Sequence, residues 1–172
     1  MATNLETNID FRITWRYKNT ADTDGPVVRD FNSLAISDKL LNGTGLDQND
    51  IVWHDVRTLS ASSSEDLDMA GTLTDAFGNT VTFSKIKGIV LNNQTTTAGC
   101  ILEAGGGSND FNAWLGATGD KIKVGPNGLV VSWNPSLAGY SVTADTADIL
   151  KITNTDSSNS ITYQIVIVGT TA

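Results

Sequence analysis

At 172 residues the chain is sized for one domain. Its formal net charge of −8, with 19 Asp and Glu against 11 scattered Lys and Arg, weighs against binding to nucleic acid or to anionic membranes, which draw affinity from basic side chains. Charged residues make up only 17%. The deficit is filled by Thr, Ser, Asn and Gly, whose short polar side chains compete for backbone hydrogen bonds and favour turns and strand surfaces over helix interiors.

Residues 1–8 are polar and aperiodic and read as a flexible arm, followed by one domain over 9–172. They carry neither a basic n-region nor an apolar h-region, so no secretory signal is expected, and no apolar run approaches a membrane span. From Asp10 to Tyr17 the pattern alternates, with Phe11, Ile13, Trp15 and Tyr17 on one face and Arg12, Thr14 and Arg16 on the other. That is a half-buried strand. Residues 19–26 form a loop. Residues 31–42 fit neither period cleanly, and a short helix or a bulged strand would each be tolerable, ended by Asn42-Gly43-Thr44-Gly45.

Val52 to Leu59 is a strand with mixed faces, and Leu67 and Met69 alternate with acids. Gly78-Asn79 sits between two alternating runs and predicts a hairpin. Ile86 to Leu91 reads as a central strand buried on both faces. Cys100 to Ala104 is a short strand, Gly105 to Asp110 a flexible loop, and Phe111 to Leu115 a short apolar patch. Lys121 to Val124, Leu129 to Trp133, Tyr140 to Val142, Ile149 to Ile152 and Ile161 to Val168 are further strands. The turn Gly125-Pro126-Asn127-Gly128 separates the first two of these. Roughly ten strands with turn signals every ~8–12 residues predict an all-β antiparallel sandwich or barrel, and no internal repeat of fixed period is visible.

Chemistry finds little support. His54 is the single histidine, and its neighbour Asp55 points to the opposite face of the strand, so the pair does not make a catalytic dyad. Cys100 lies in an apolar run without a nearby cation and reads as a small buried hydrophobe. One Cys and one His do not make a usual zinc site, and no phosphate-binding glycine motif is present. Glu65, Asp66 and Asp68 read as exposed solubilising acids. Asp22 with Asp24, or Asp145 with Asp148, would be the places for calcium, but the EF-hand spacing is absent. No catalytic residue, cofactor or metal is expected. Among the tryptophans, Trp15 and Trp133 read as core. Trp114, with Phe111 beside it, is the candidate surface contact, for a glycan or a subunit.

The run Asp55-Val56-Arg57-Thr58-Leu59, then Glu65 through Asn79, resembles a pattern found in small structural proteins of tailed bacteriophages. The same is true of Val81 to Ile89, the glycine-rich loop, the Pro-Asn-Gly turn and the terminal Tyr163 to Gly169. The likeness covers about residues 50–169 and carries no catalytic motif. It implies a jelly-roll-like virion protein on the capsid exterior, assembled in the bacterial cytoplasm. Such a protein cements or decorates the lattice of the major capsid protein, commonly as a homotrimer; the alternative is a head spike, fibre base or tail component. A carbohydrate-binding sandwich module is the second alternative, and it would present coplanar exposed aromatics.

Overall fold

A computed structural model describes residues 4–18 and 29–172, with 18, 29 and 30 as backbone alone. The loop expected at 19–26, the acids Asp22 and Asp24, and the first three residues of the expected arm lie outside the described residues. Twelve strands form: β1 (Thr7–Lys18), β2 (Arg29–Asn42), β3 (Gln48–Asn49), β4 (Ile51–Leu59), β5 (Ser64–Asp68), β6 (Lys85–Asn93), β7 (Leu102–Gly105), β8 (Lys121–Val124), β9 (Leu129–Trp133), β10 (Tyr140–Ser141), β11 (Ile149–Asn154) and β12 (Ile161–Thr170). No helix occurs among the described residues.

From β4 onward the chain is an antiparallel β-sandwich. β4 pairs with β12, β5 with β11, β6 with β9 and β7 with β8. The pairing runs from the outside inward, as though one long hairpin had been rolled over itself. The ladders β12–β6 and β11–β7 then join these pairs into two sheets. One runs β9-β6-β12-β4, with the short β10 also on β6. The other runs β5-β11-β7-β8.

The predicted inward alternation is what closes the sandwich. Ile161, Tyr163, Ile165 and Ile167 of β12 are all fully buried. They meet Trp53, Ile89 and Leu91 of the same sheet, and Leu67, Leu102, Leu150 and Ile152 of the other. Each such side chain contributes about 1.5–3 kcal/mol on leaving water. β6 is central, as its apolar run predicts; Ile86, Ile89 and Leu91 are fully buried, while Val90 and Asn92 on the outer face are half-buried. Two buried asparagines tie the sheets where the ladders end. Asn93 Nδ2 donates to the carbonyls of Cys100 (2.9 Å) and Val124 (3.1 Å), and Asn154 Nδ2 to those of Leu59, Ser60 and Asn159.

Local departures from the expectations have physical causes. The segment 31–42 is strand, because every residue from Arg29 to Leu40 has a partner on β1; adjacent Leu40 and Leu41 blurred its period, since Leu40 is buried and Leu41 exposed. The hairpin at Gly78-Asn79 forms its turn, with Asp75 N–H donating to Asn79 O (2.9 Å), but only one bridge follows, Thr74 to Thr80. Leu73, Val81 and Phe83 turn into the core instead of extending a ladder. The glycine loop, expected to be flexible, is pinned. The Asp110 carboxylate accepts from Gly106 N–H (3.1 Å) and Gly119 N–H (3.0 Å), and Gly106 sits at φ +75°, open to a residue without a Cβ. Of the expected arm, Glu6 pairs with Lys39 (2.9 Å), and Thr7 and Asn8 already belong to β1.

Candidate interaction surface

β1 and β2 form a two-stranded antiparallel ribbon beside the sandwich, joined to β3 only through Leu41 and Asn42. Its base is anchored. Leu40 is fully buried, Asn49 Nδ2 donates to Thr7 Oγ1 (3.0 Å), and the Trp133 indole N–H donates to Asp38 Oδ2 (2.7 Å). Beyond the base, from Arg12 to Tyr17 and from Phe31 to Ser37, both faces of the ribbon are exposed.

The two faces differ in chemistry. Directly opposed residues share a face in an antiparallel pair. Ile9, Phe11, Ile13, Trp15 and Tyr17 therefore lie with Asp38, Ile36, Leu34 and Asn32 on one side. Asp10, Arg12, Thr14 and Arg16 lie with Ser37, Ala35, Ser33 and Phe31 on the other. There the Arg16 guanidinium sits 5.0 Å over the Phe31 ring, which is itself more than half exposed. On the apolar side Ile13, Leu34 and Tyr17 are 48%, 48% and 68% exposed. A lone two-stranded ribbon is marginal in water and gains stability by packing its apolar face on something. Trp15, expected in the core, is on this stripe and 41% exposed. β1 has its apolar face, but among the described residues no second sheet lies over it past Phe11.

A second apolar surface adjoins the ribbon. The registers of β4, β12, β6 and β9 put Val52, His54, Val56 and Thr58 on the outer face of that sheet. They share it with Thr162, Gln164, Val166 and Val168, with Gly88, Val90 and Asn92, and with Leu129, Val131 and Trp133. No Asp, Glu, Lys or Arg stands among them, although charged residues are the ordinary covering of a solvated sheet face. Val56 and Leu129 are more than half exposed. Trp133 lies flat on Gly88, where a Cβ would come 2.5 Å from its ring, so a glycine is required there. Between the ribbon base and β9 runs a cleft of about 400 Å³ lined by Ile9, Phe11, Ile36, Leu129, Val131 and Trp133.

The residues singled out from sequence lie elsewhere. Phe111 is fully buried, its N–H donating to Ile149 O (2.9 Å), so it offers no surface; the reading of it as a contact residue is corrected by that anchor. Trp114 is half-buried and packs against the core. His54 is exposed on the outer sheet face, while Asp55 points the other way, into an ion pair with Arg57 (2.9 Å). Cys100 is buried, and its thiol is pushed up by burial and then by the charge of Asp156. Glu65, expected to be exposed, is instead held by Arg57 Nε (2.6 Å) and the Tyr163 hydroxyl (2.7 Å). Asp148 is buried and its Oδ2 accepts from Asp145 N–H (2.7 Å). Among the described residues no three His, Cys, Asp or Glu converge as metal ligands. The geometry suits burial against another protein surface. Comparison with protein-family models, with curated proteins and with solved structures gives no match.

Proposed function

We propose that the chain is a structural protein of a tailed-phage virion, a capsid cement or decoration protein that binds the lattice of the major capsid protein from outside. The observation that carries this reading is the pairing of a rigid sandwich with two uncovered apolar surfaces, the ribbon stripe and the charge-free sheet face. Surfaces of that kind mark contact with other proteins. The strand order supports the jelly-roll form of the sandwich. Numbered along the chain, the eight strands β4 to β9, β11 and β12 run 1-8-3-6 in one sheet and 2-7-4-5 in the other, with the partners of a rolled hairpin side by side. Jelly rolls serve in many viral capsid proteins and also in lectins, so the fold narrows the role without fixing it. The segment that resembles phage structural proteins, about 50–169, is the segment that makes the sandwich.

In this reading each copy bridges neighbouring capsomers and stabilises the shell by mass action. Multiple copies joined together multiply weak contacts into avidity. A head spike, fibre base or tail component would use the same body at another position in the particle. The direct test is co-sedimentation of the purified chain with mature capsids of the phage that encodes it. Saturable binding at a fixed ratio to the major capsid protein is expected, and capsids that pellet without it would refute the cement role. The carbohydrate-binding reading draws on Trp15 and Tyr17, exposed on one ribbon face. Asn32 lies opposite Trp15 on that face, and binding on a glycan array would favour this reading over the cement role.

A further inference from the structure

We propose that the outer edge of β1 receives an extended strand of a partner protein, one that sets the pattern acid-apolar-x-apolar-acid against Arg12 to Arg16. The proposal deepens the reading of the ribbon as a protein contact and rests on that reading, not on a place in the capsid.

The backbone supplies the first observation. β1 pairs with β2 in unbroken one-to-one register from Thr7 to Lys18, and no strand among the described residues pairs with its other edge. A row of unpaired N–H and C=O groups recruits other chains, so sheet edges are ordinarily blunted by proline, by a bulge, by lysine or by shortness. β8, an edge of the sandwich, is four residues long and carries Lys121 and Lys123. β1 runs for 12 residues without proline or bulge, and its first lysine is Lys18. Such an edge is ready for strand addition, in which main-chain hydrogen bonds give affinity and alternate side chains give specificity.

The second observation is charge. Arg12 and Arg16 share one face of β1, with Thr14 between them, and both are exposed. Among the described residues no carboxylate lies within ion-pair distance of either. The ordinary condition in this acidic chain is the reverse. Arg57 pairs with Asp55 and Glu65, and Lys39, Lys121 and Lys123 each have a carboxylate partner. The described acid on the arginine face, Asp10, accepts from the Ser37 hydroxyl (2.6 Å). Carboxylates set directly across from Arg12 and Arg16 form favourable cross-strand pairs. A second β1 laid antiparallel about Thr14 would instead oppose Arg12 to Arg16, and like charges in that position repel, so the edge selects against its own copy.

The third observation is alternation. Between the arginines, Ile13 and Trp15 project to the opposite face, where they are 48% and 41% exposed. A strand beside β1 presents its own side chains to both faces with period two. Apolar residues opposite Ile13 and Trp15 and acids opposite Arg12 and Arg16 therefore fall on one five-residue stretch. The pattern reads the same in both directions and serves a parallel or an antiparallel partner. A nucleic-acid backbone would meet the arginines and leave Ile13 and Trp15 in water, so a polypeptide strand fits the edge better.

The test uses the purified chain with no capsid present, so its failure leaves the cement role standing, and the reverse. A blocked synthetic peptide containing Glu-Val-Thr-Val-Glu is titrated into the isotope-labelled chain and followed by heteronuclear NMR. Saturable shifts are expected at the amides of residues 11–17, half-complete below about 1 mM peptide. The same peptide with lysine in place of both glutamates is expected to bind at least ~10-fold more weakly. In the double variant Arg12→Glu/Arg16→Glu the preference is expected to invert. Binding of the lysine peptide by that variant also shows that its ribbon is folded. For the wild type alone, raising the salt concentration is expected to weaken the glutamate peptide. Four results would each overturn the proposal: no saturable shift along β1, equal binding of both peptides to the wild type, a double variant that still prefers glutamate, or β1 amides already protected by a second copy in a peptide-free dimer.

Discussion

The sandwich and the ribbon use the same kind of strand and treat burial in opposite ways. On β12, Ile161, Tyr163, Ile165 and Ile167 occupy every second position and are fully buried. On β1, Phe11, Ile13, Trp15 and Tyr17 alternate just as regularly, yet past Phe11 the stripe is left in solvent. Alternation shows that a strand has an apolar face; it says nothing about what covers that face. In the sandwich the other sheet covers it. In the ribbon no second sheet among the described residues covers it past Phe11.

The contrast is sharpest in the cost of truncation. Ile165→Ala is expected to cost about 2–5 kcal/mol in urea denaturation, from lost burial plus the cavity left behind. Ile13→Ala, measured on dilute monomer, is expected within about 0.5 kcal/mol of wild type. Equal costs would make the ribbon part of the sandwich's folding unit and break the comparison. Gly88→Val probes the seam between the two regions. The new side chain meets the Trp133 ring, and overpacking of this kind costs about 1–3 kcal/mol. Displacement of the indole also breaks its hydrogen bond to Asp38, which a shift in tryptophan fluorescence reports.

Two further substitutions probe polar links that belong to the body alone. The Tyr163 phenol is held above its ordinary value of 10.0, first by burial and then by its hydrogen bond to Glu65 and the charge of that carboxylate. A raised value means that the native state keeps its proton after the unfolded chain has lost it. The stabilisation is therefore whole below pH 10 and declines as pH rises beyond. Tyr163→Phe is expected to cost about 1–2 kcal/mol at pH 7, by leaving a Glu65 oxygen unpaired, and to flatten the alkaline limb of a stability–pH curve.

Glu103 is held below its ordinary value of 4.5 by the hydrogen bond from Lys121 (3.1 Å), aided by Lys123 (3.4 Å). Its contribution is present above pH 4.5 and is lost as pH falls through the lowered value. Because the lysines are largely solvated, Glu103→Gln is expected to cost under about 1 kcal/mol at pH 7, and nothing at pH 2.

Much of the sandwich is legible in the sequence. The alternating run 161–168, the apolar run 86–91 and the Pro-Asn-Gly turn at 126–128 each mark their element, and Asn127 takes the expected positive φ of +55°. The interaction surface is not. The run from Phe11 to Tyr17 looks the same whether a second sheet covers it or not. The charge-free face is spread over β4, β6, β9 and β12, and it emerges only when registers align His54, Val166, Val90 and Val131 across strands far apart in the chain. Phe111 misled because a phenylalanine beside a glycine-rich loop resembles an exposed tip, and the bond from its amide to Ile149, some forty positions on, leaves no local trace.

Hydrogen–deuterium exchange of the purified chain at 1 μM and at 200 μM, with and without capsids, tests most directly whether other protein covers the ribbon. Amides of residues 12–17 and 31–36 are expected to exchange rapidly at 1 μM and to become protected on capsid binding, while β6 and β12 stay slow throughout. Ribbon amides that are already slow at 1 μM, or that stay fast under every condition, would contradict the account.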